Sequence, residues 1–229
     1  MALHVIGDLH LSLGTDKPMD IFGGPWVGYM EKLSQGIQRI KPEDTTVLLG
    51  DVSWALSLDS AYEDFAWINR IPGRKIIVKG NHDYWWSTAA KFNSFCQSNG
   101  FSNQWILNNN FYEYDGWAIC GTRGWFFEEE RSGEHDEKVF KRELLRLEAS
   151  LKAAGDMPKL VFLHYPPIYK GYCCEEILNL LSTYGVRRCF YGHLHGASHG
   201  LAIEGLHNGV DFKLVSADRL NFVPFTVIS

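Results

Sequence analysis

Five short apolar runs, each bounded by polar or turn residues, constrain the fold of this 229-residue chain more than any other feature. The runs are too short for amphipathic helices and predict buried strands. They span Leu3 to Ile6, Thr46 to Leu49, Lys75 to Val78, Lys159 to Leu163 and Arg188 to Tyr191. Helical patterns fall between them, over Pro25 to Ile40, Asp59 to Ile71, Ser87 to Asn99, Asp136 to Ala154 and Cys173 to Tyr184. This alternation predicts an α/β protein.

Two regions depart from the alternation. Residues 111–120 predict a hairpin that turns at Asp115-Gly116. Residues 201–228 predict three antiparallel strands, separated by Asn208-Gly209 and Ala217-Asp218. The pattern indicates either a central mixed sheet flanked by helices, or two sheets packed together and covered by helices on both outer faces. With 45% hydrophobic residues, one domain over residues 1–229 is the expectation.

Composition narrows the classes of function. The net charge of −5 and the absence of a Lys/Arg-rich run disfavour a protein that binds duplex nucleic acid, although nuclease activity stays open. The five cysteines show no C-x-x-C pairing and therefore favour reduced thiols over a disulfide framework or a thiolate zinc site. No signal peptide or long apolar segment stands out, so a cytoplasmic protein without a membrane anchor is expected.

Polar residues able to bind metal follow each of the five runs. They are Asp8 and His10, Asp51, Asn81 and His82, His164, and His193 and His195. Taken singly, each is explained by turn chemistry or by a core histidine. Together, if the five runs form a single sheet, they would converge on one crevice beyond the carboxyl ends of its strands. His193 and His195, two residues apart on an extended segment, would point the same way. Oxygen and imidazole donors without thiolate suit Mn, Fe, Zn, Co or Ni.

These residues form ordered motifs that resemble those of the calcineurin-like metallophosphoesterases. The motifs, which extend from position 8 to 195, are Asp8-Leu9-His10, Gly50-Asp51, Gly80-Asn81-His82-Asp83, His164 and Gly192-His193-Leu194-His195. The resemblance implies a four-layer αββα sandwich, with two mixed β-sheets flanked by helices. It also implies two divalent or mixed-valence metal ions. One would be held by Asp8, His10, Asp51 and His195, and the other by Asp51, Asn81, His164 and His193.

The resemblance further implies hydrolysis of a phosphomonoester or phosphodiester by a metal-activated hydroxide. His82 would act as general acid toward the leaving group, and Asp83 would orient the His82 ring. One departure from the family pattern is Trp54, which stands where many members carry an acid or an amide. The arginine that follows that position in Ser/Thr protein phosphatases is absent here, which disfavours a protein phosphatase of that type.

The substrate pocket is less constrained by the sequence. Four tryptophans in or just after the predicted loops would either stack a base or an apolar leaving group, or pack around the site; they are Trp54, Trp85, Trp86 and Trp125. Arg123 would bind a phosphate oxygen or form a structural salt bridge. The polar connection over residues 128–135 would be a lid or a solvated face. A small phosphorylated substrate is the leading prediction; the alternatives are a nuclease or cyclic nucleotide phosphodiesterase, and a noncatalytic scaffold.

Overall fold

The computed structural model describes residues 1–125 and 134–229. Residues 128–133 of the candidate lid therefore lie outside the described residues. The chain divides into two compact units, one formed by Met1–Ile106 with Val215–Ser229 and the other by Leu107–Leu214. Each unit has its own mixed β-sheet, its own helices and its own cluster of buried apolar side chains.

The regular elements follow one another as strands and helices for most of the chain. In chain order they are β1 (Leu3–Ile6), α1 (Tyr29–Gly36), β2 (Thr45–Leu49), α2 (Tyr62–Arg70), β3 (Arg74–Val78), α3 (Ala89–Ser98), β4 (Gln104–Leu107), β5 (Phe111–Tyr114), β6 (Trp117–Thr122), α4 (Glu134–Ala153), β7 (Lys159–Leu163), β8 (Ile168–Tyr169), β9 (Tyr172–Cys173), α5 (Glu175–Thr183), β10 (Arg188–Tyr191), β11 (Gly205–His207), β12 (Val210–Leu214) and β13 (Phe225–Ile228). In the described part of the chain, no helix combines the length and the hydropathy that crossing a bilayer requires.

The first unit is built on a five-stranded sheet in the order β13-β1-β2-β3-β4. Strands β1, β2 and β3 are parallel neighbours, and β13 runs antiparallel to β1. Every residue of β1 and β2 is buried, which explains why these strands are continuous apolar runs rather than alternating patterns. Leu33 of α1, Phe65 of α2 and Phe92 of α3 join the core that covers this sheet.

The second unit is built on a six-stranded sheet in the order β11-β12-β10-β7-β6-β5. Strands β6, β7, β10 and β12 are parallel, and antiparallel β5 and β11 close the two edges. The predicted β5–β6 hairpin is confirmed, with Tyr114 opposite Trp117 across a turn in which Asp115 and Gly116 have φ of 47° and 75°. Positive φ at both central residues is the geometry that favours an Asp-Gly hairpin turn.

The five apolar runs are all strands, and they are divided between two mixed sheets, as the αββα architecture expected from the sequence requires. Two other sequence predictions are wrong in part. Of the three antiparallel strands predicted over residues 201–228, only β11 and β12 pair with each other, whereas β13 pairs with β1. The helix predicted over Pro25 to Ile40 is shorter, because Gly28 adopts a left-handed φ of 66° and 3-10 turns occupy Gly24–Trp26 and Ile37–Arg39.

Candidate metal centre

The first unit places its predicted ligands at the carboxyl ends of three neighbouring parallel strands. Asp8 and His10 follow β1, Asp51 follows β2, and the segment from Asn81 to Asp83 follows β3. The loops after β1 and β2 run side by side, since the backbone N–H of Asp8 donates to Gly50 O and that of His10 donates to Asp51 O, both at 2.9 Å. The parallel sheet therefore brings residues that are distant in sequence to one edge.

Three of these ligands adopt a strained backbone conformation. Asp8, His10 and Asp51 have φ of 59°, 47° and 48°, in the left-handed region that residues other than glycine seldom occupy. Such a conformation costs about 1–3 kcal/mol per residue and concentrates at functional sites.

The carboxylates and imidazole of this edge are close together and almost fully shielded from solvent. Asp8, His10 and Asp51 are 0, 3 and 1% exposed. A carboxylate oxygen of Asp8 and a ring nitrogen of His10 lie within 4.8 Å of each other, and His10 Nε2 lies 3.8 Å from Asp51 Oδ2. Two buried carboxylates beside an imidazole form a donor set that suits a divalent cation, because a cation offsets the cost of burying the charges.

Gly80 lets the loop after β3 approach Asp51 closely. A Cβ at this position would lie 2.0 Å from Asp51 Oδ1 and 2.2 Å from the Asp51 backbone nitrogen. Two residues later, the His82 N–H donates to Asp51 Oδ1 at 2.8 Å. Asn81 lies between these two contacts, half-buried, so its amide is carried on a loop that is tied directly to the carboxylate of the neighbouring strand.

The Asp83 carboxylate connects two loops of the first unit. Its buried carboxylate accepts from Gly80 N at 2.7 Å, Val52 N at 2.8 Å, Ser53 N at 3.3 Å and Trp85 Nε1 at 2.9 Å. None of the hydrogen bonds that it makes with described residues involves the His82 imidazole. These four donors mean that Asp83 ties the loop after β3 to the loop after β2; the predicted orientation of the His82 ring by Asp83 stays a prediction.

Asp64, which sequence reasoning missed, connects the loop after β1 to the loop after β2. This buried α2 residue accepts from Leu13 N at 2.7 Å and from the Ser53 hydroxyl, and so joins the segment after His10 to the segment after Asp51. Burial raises the pKa of Asp64, while these two donors oppose the shift. A single acid in the first turn of a helix carries no sequence signal for this function.

The second unit places its histidines after two neighbouring parallel strands. His164 follows β7 and is fully buried, and His193 follows β10. A ring nitrogen of each lies within 4.8 Å of the other. His195, half-buried, directly precedes a 3-10 turn over Gly196–Leu201.

The segment that carries His193 and His195 is not extended. His193 has a φ of 70°, and the Leu194 N–H donates to Gly192 O at 2.9 Å. The expectation of an extended segment is therefore wrong, and the alternation of side chains along a strand does not apply to this pair. Four of the seven predicted ligands, counting His193, have a left-handed backbone.

Arg123 forms the salt bridge that the sequence left as one of two possibilities. Its Nη2 lies 3.6 Å from Glu143 Oε1, and Glu143 is buried. The guanidinium also lies 5.8 Å from the ring centroid of Tyr165, which in turn contacts the His193 ring edge-on at 4.7 Å. Tyr165 is thus a neighbour of the histidines that sequence reasoning missed; its only signal is its position directly after His164.

The four predicted rim tryptophans have different environments. Trp85 is a core residue, 3% exposed, and Trp86 packs against the same core. Trp125 packs on Phe140, with ring centroids 5.8 Å apart. Trp54 contacts two predicted site residues through its ring, with centroids 4.7 Å from His10 and 4.5 Å from His82, whereas Trp85 contacts Asp83 through its indole N–H.

Comparison with known proteins agrees with the order of these motifs. The family model of the calcineurin-like phosphoesterases matches residues 1–197. No curated protein matches the chain. Among solved structures, a protein of unknown function from Aquifex aeolicus, AQ665, is similar with a TM-score of 0.53 and 17% identity, over 98% of this chain and 95% of that one. The protein TT1561 of Thermus thermophilus is similar with a TM-score of 0.53 and 15% identity, over 84% and 81%.

The chain belongs to the calcineurin-like phosphoesterase family. Its two mixed sheets with flanking helices agree with the fold of that family, and the distant structural relatives support the fold alone. Membership identifies the protein as a hydrolase of the kind that acts on phosphoesters with divalent metal ions. The oxygen and imidazole donors described above fit that requirement.

Proposed function

We propose that the protein hydrolyses small phosphomonoesters or phosphodiesters at a dinuclear metal centre. The observation that carries the proposal is the convergence of metal-binding donors in each unit: Asp8 with His10 in the first, and His164 with His193 in the second, each pair within 4.8 Å. Donor atoms at this separation are close enough to share one ion. Strained backbone at three of these four residues supports a role that packing alone does not explain.

The proposed ligand sets follow the family motifs. By the family motifs, His195 would complete the set of Asp8 and His10, Asn81 would complete the set of His164 and His193, and Asp51 would contribute to both. When bound, the two ions would polarise the phosphoryl group and activate a water molecule as the nucleophile at neutral pH.

The protein's own residues supply positioning and the proton. Asp51 accepts the His82 N–H, so the loop that carries His82 is fixed relative to a proposed ligand. The His82 side chain is half-buried and therefore accessible to a bound molecule. We propose that it donates a proton to the leaving oxygen as the ester bond breaks, which typically contributes about 10²- to 10⁴-fold to the rate.

The test combines metal analysis with kinetics. Purified protein is loaded separately with Mn, Co, Ni, Zn or Fe, and its rates are measured on an aryl phosphomonoester and an aryl phosphodiester. Two ions per chain and hydrolysis of at least one ester are expected, with both lost in Asp51→Ala. Asp16→Ala, which removes an exposed carboxylate from the same unit, is the matched control. Inactivity of a protein that holds two ions would argue for the scaffold alternative.

A further inference from the structure

Trp54 contacts two predicted site residues on one side and a lysine on another. Its ring stacks on the His10 imidazole with an interplanar angle of 24°, and it lies tilted against His82. Its indole Nε1–H donates to Met19 Sδ at 3.3 Å, which fixes the rotation of the ring. Lys17 Nζ lies over the same ring, 3.2 Å from the centroid.

Lys17 and His10 lie on opposite faces of the Trp54 ring. An ammonium group 3.2 Å above the centroid leaves no space on that face for a nearly parallel imidazole whose centroid is 4.7 Å away. Both faces of the indole are therefore covered. A nucleobase has no face of Trp54 on which to stack, so the tryptophan serves the site by holding its neighbours.

The charge of Lys17 is not neutralised within the described chain. The side chain is exposed, and its cation–π contact with Trp54 is the one interaction that the structure records for it, with no ion pair to a described carboxylate. A cation–π contact localises an ammonium group without removing its positive charge. Lys17 is thus a fixed cation one aromatic ring away from His82.

We propose that Lys17, held by Trp54, binds a second anionic group on the leaving-group portion of the substrate. This inference rests on the proposed function, in which His82 protonates the leaving oxygen. Because the Trp54 ring contacts both His82 and the Lys17 ammonium, the cation is held one aromatic ring away from the proposed acid, where a charged extension of the leaving group could meet it. The substrate class is then a phosphoester whose leaving group carries a further carboxylate or phosphate, and Trp54 is the positioning residue.

The experiment compares two substrates that differ by one negative charge. Phenyl phosphate and 4-carboxyphenyl phosphate are hydrolysed by the metal-loaded wild type, Lys17→Met and Lys17→Arg. For Lys17→Met we expect KM to rise about tenfold for the carboxylated ester, the size of one charged hydrogen bond, and by less than about twofold for phenyl phosphate, with kcat unchanged. Lys17→Arg keeps the positive charge and should keep the lower KM for the carboxylated ester. Lys41→Met, which removes an exposed lysine before the amino end of β2, is the control for net charge.

A binding measurement separates this inference from the proposed function. Calorimetric titration of metal-loaded protein with phenylphosphonate and 4-carboxyphenylphosphonate needs no turnover. If the wild type binds both phosphonates but hydrolyses neither ester, the proposed function fails. The ratio of the affinities for the two phosphonates, compared between wild type and Lys17→Met, still decides the role of Lys17. Equal effects of Lys17→Met on the two phosphonates, or no effect on either, would overturn the inference.

The Trp54 variants test the positioning role. Trp54→Ala should lose the preference for the carboxylated ligand as fully as Lys17→Met does, whereas Trp54→Phe keeps an aromatic face and should retain most of it. A folded Trp54→Ala protein that keeps the preference would show that Lys17 does not depend on the ring. If Trp54→Ala does not fold, the exposed Lys17 variants decide the proposal alone.

Discussion

Buried carboxylates that do not bind metal in the proposed scheme hold the ligand residues of the first unit in place. Asp83 accepts backbone N–H groups of Gly80 and Val52, and Asp64 accepts that of Leu13 together with the Ser53 hydroxyl. Each hydrogen bond to a carboxylate contributes about 1.5–3 kcal/mol. These contacts are of the size needed to offset the strain of left-handed ligand residues, so the edge of the sheet is preorganised before any ligand binds.

His82 offers a test of the division between metal binding and proton transfer. His82→Ala should keep both metal ions but lose about 10²- to 10⁴-fold in kcat on an alkyl phosphoester, whose leaving oxygen needs a proton. A nitrophenyl ester, which leaves readily as an anion, should be affected much less. The ratio of the two rates is the measurement, and metal content checks the ligands. Unchanged turnover of the alkyl ester would remove His82 from the mechanism.

Lys75 gives the folded state a predictable dependence on pH. It is fully buried on β3, and its Nζ donates to the backbone oxygens of Ile71 and Gly73, which a neutral amine can do with its two N–H bonds. Burial lowers its pKa from 10.5 to about 7. Between these values the unfolded chain binds more protons than the folded one, so the Lys75 contribution to stability rises with pH and is lost below about 7.

Removing this amine should flatten the stability profile. In the wild type, Lys75 should make the free energy of unfolding rise by up to about 1.4 kcal/mol per pH unit between about pH 7 and 10. Lys75→Met should lack this rise. Urea unfolding at a series of pH values measures the slope, and Lys91→Met, an exposed lysine of α3, is the control. An identical slope in wild type and Lys75→Met would contradict the assignment.

At the scale of elements, buried parallel strands were the most predictable feature and short edge elements the least. β1 and β7 were predicted with their observed bounds, because a strand buried on both faces is a continuous apolar run. β4, with Gln104 and a half-buried Trp105, has no such run. The pairing of β13 with β1 depends on contacts between the two ends of the chain, which local patterns do not encode.

The contact between the loops after β2 and β3 is tested by adding one methyl group. Gly80→Ala would place a Cβ against the backbone and carboxylate of Asp51, so the two loops must separate. We expect loss of metal binding and a destabilisation of about 1–3 kcal/mol, measured by metal analysis and urea unfolding. Gly200→Ala, where an added Cβ meets no atom within 4 Å, is the control. Full metal occupancy in Gly80→Ala would show that the close approach is not required.

For the whole molecule, the sequence order of the motifs predicted more about the site than any local pattern did. The motifs at Asp8, Asp51 and Asn81 lie in one unit and those at His164 and His193 in the other, and the family match covers both. Residue types and order therefore identified the family. The left-handed backbone at His193 and the four donors on Asp83 were not predictable, because both depend on the folded path of the loops.

The proposed ligand sets have a thermodynamic consequence for the entire chain. Metal ions that bind the folded chain and not the unfolded chain should raise the free energy of unfolding. An ion at about 100 times its Kd adds about 2.7 kcal/mol per site, which for a chain of this length raises Tm by roughly 5–11 °C. Calorimetry with Mn and then with excess chelator measures the shift. Asp51→Asn weakens both proposed ligand sets and should therefore lose most of the metal-dependent rise in Tm. Asp16→Asn should keep that rise. A Tm that stays the same after addition of the chelator would contradict metal binding by the proposed sets.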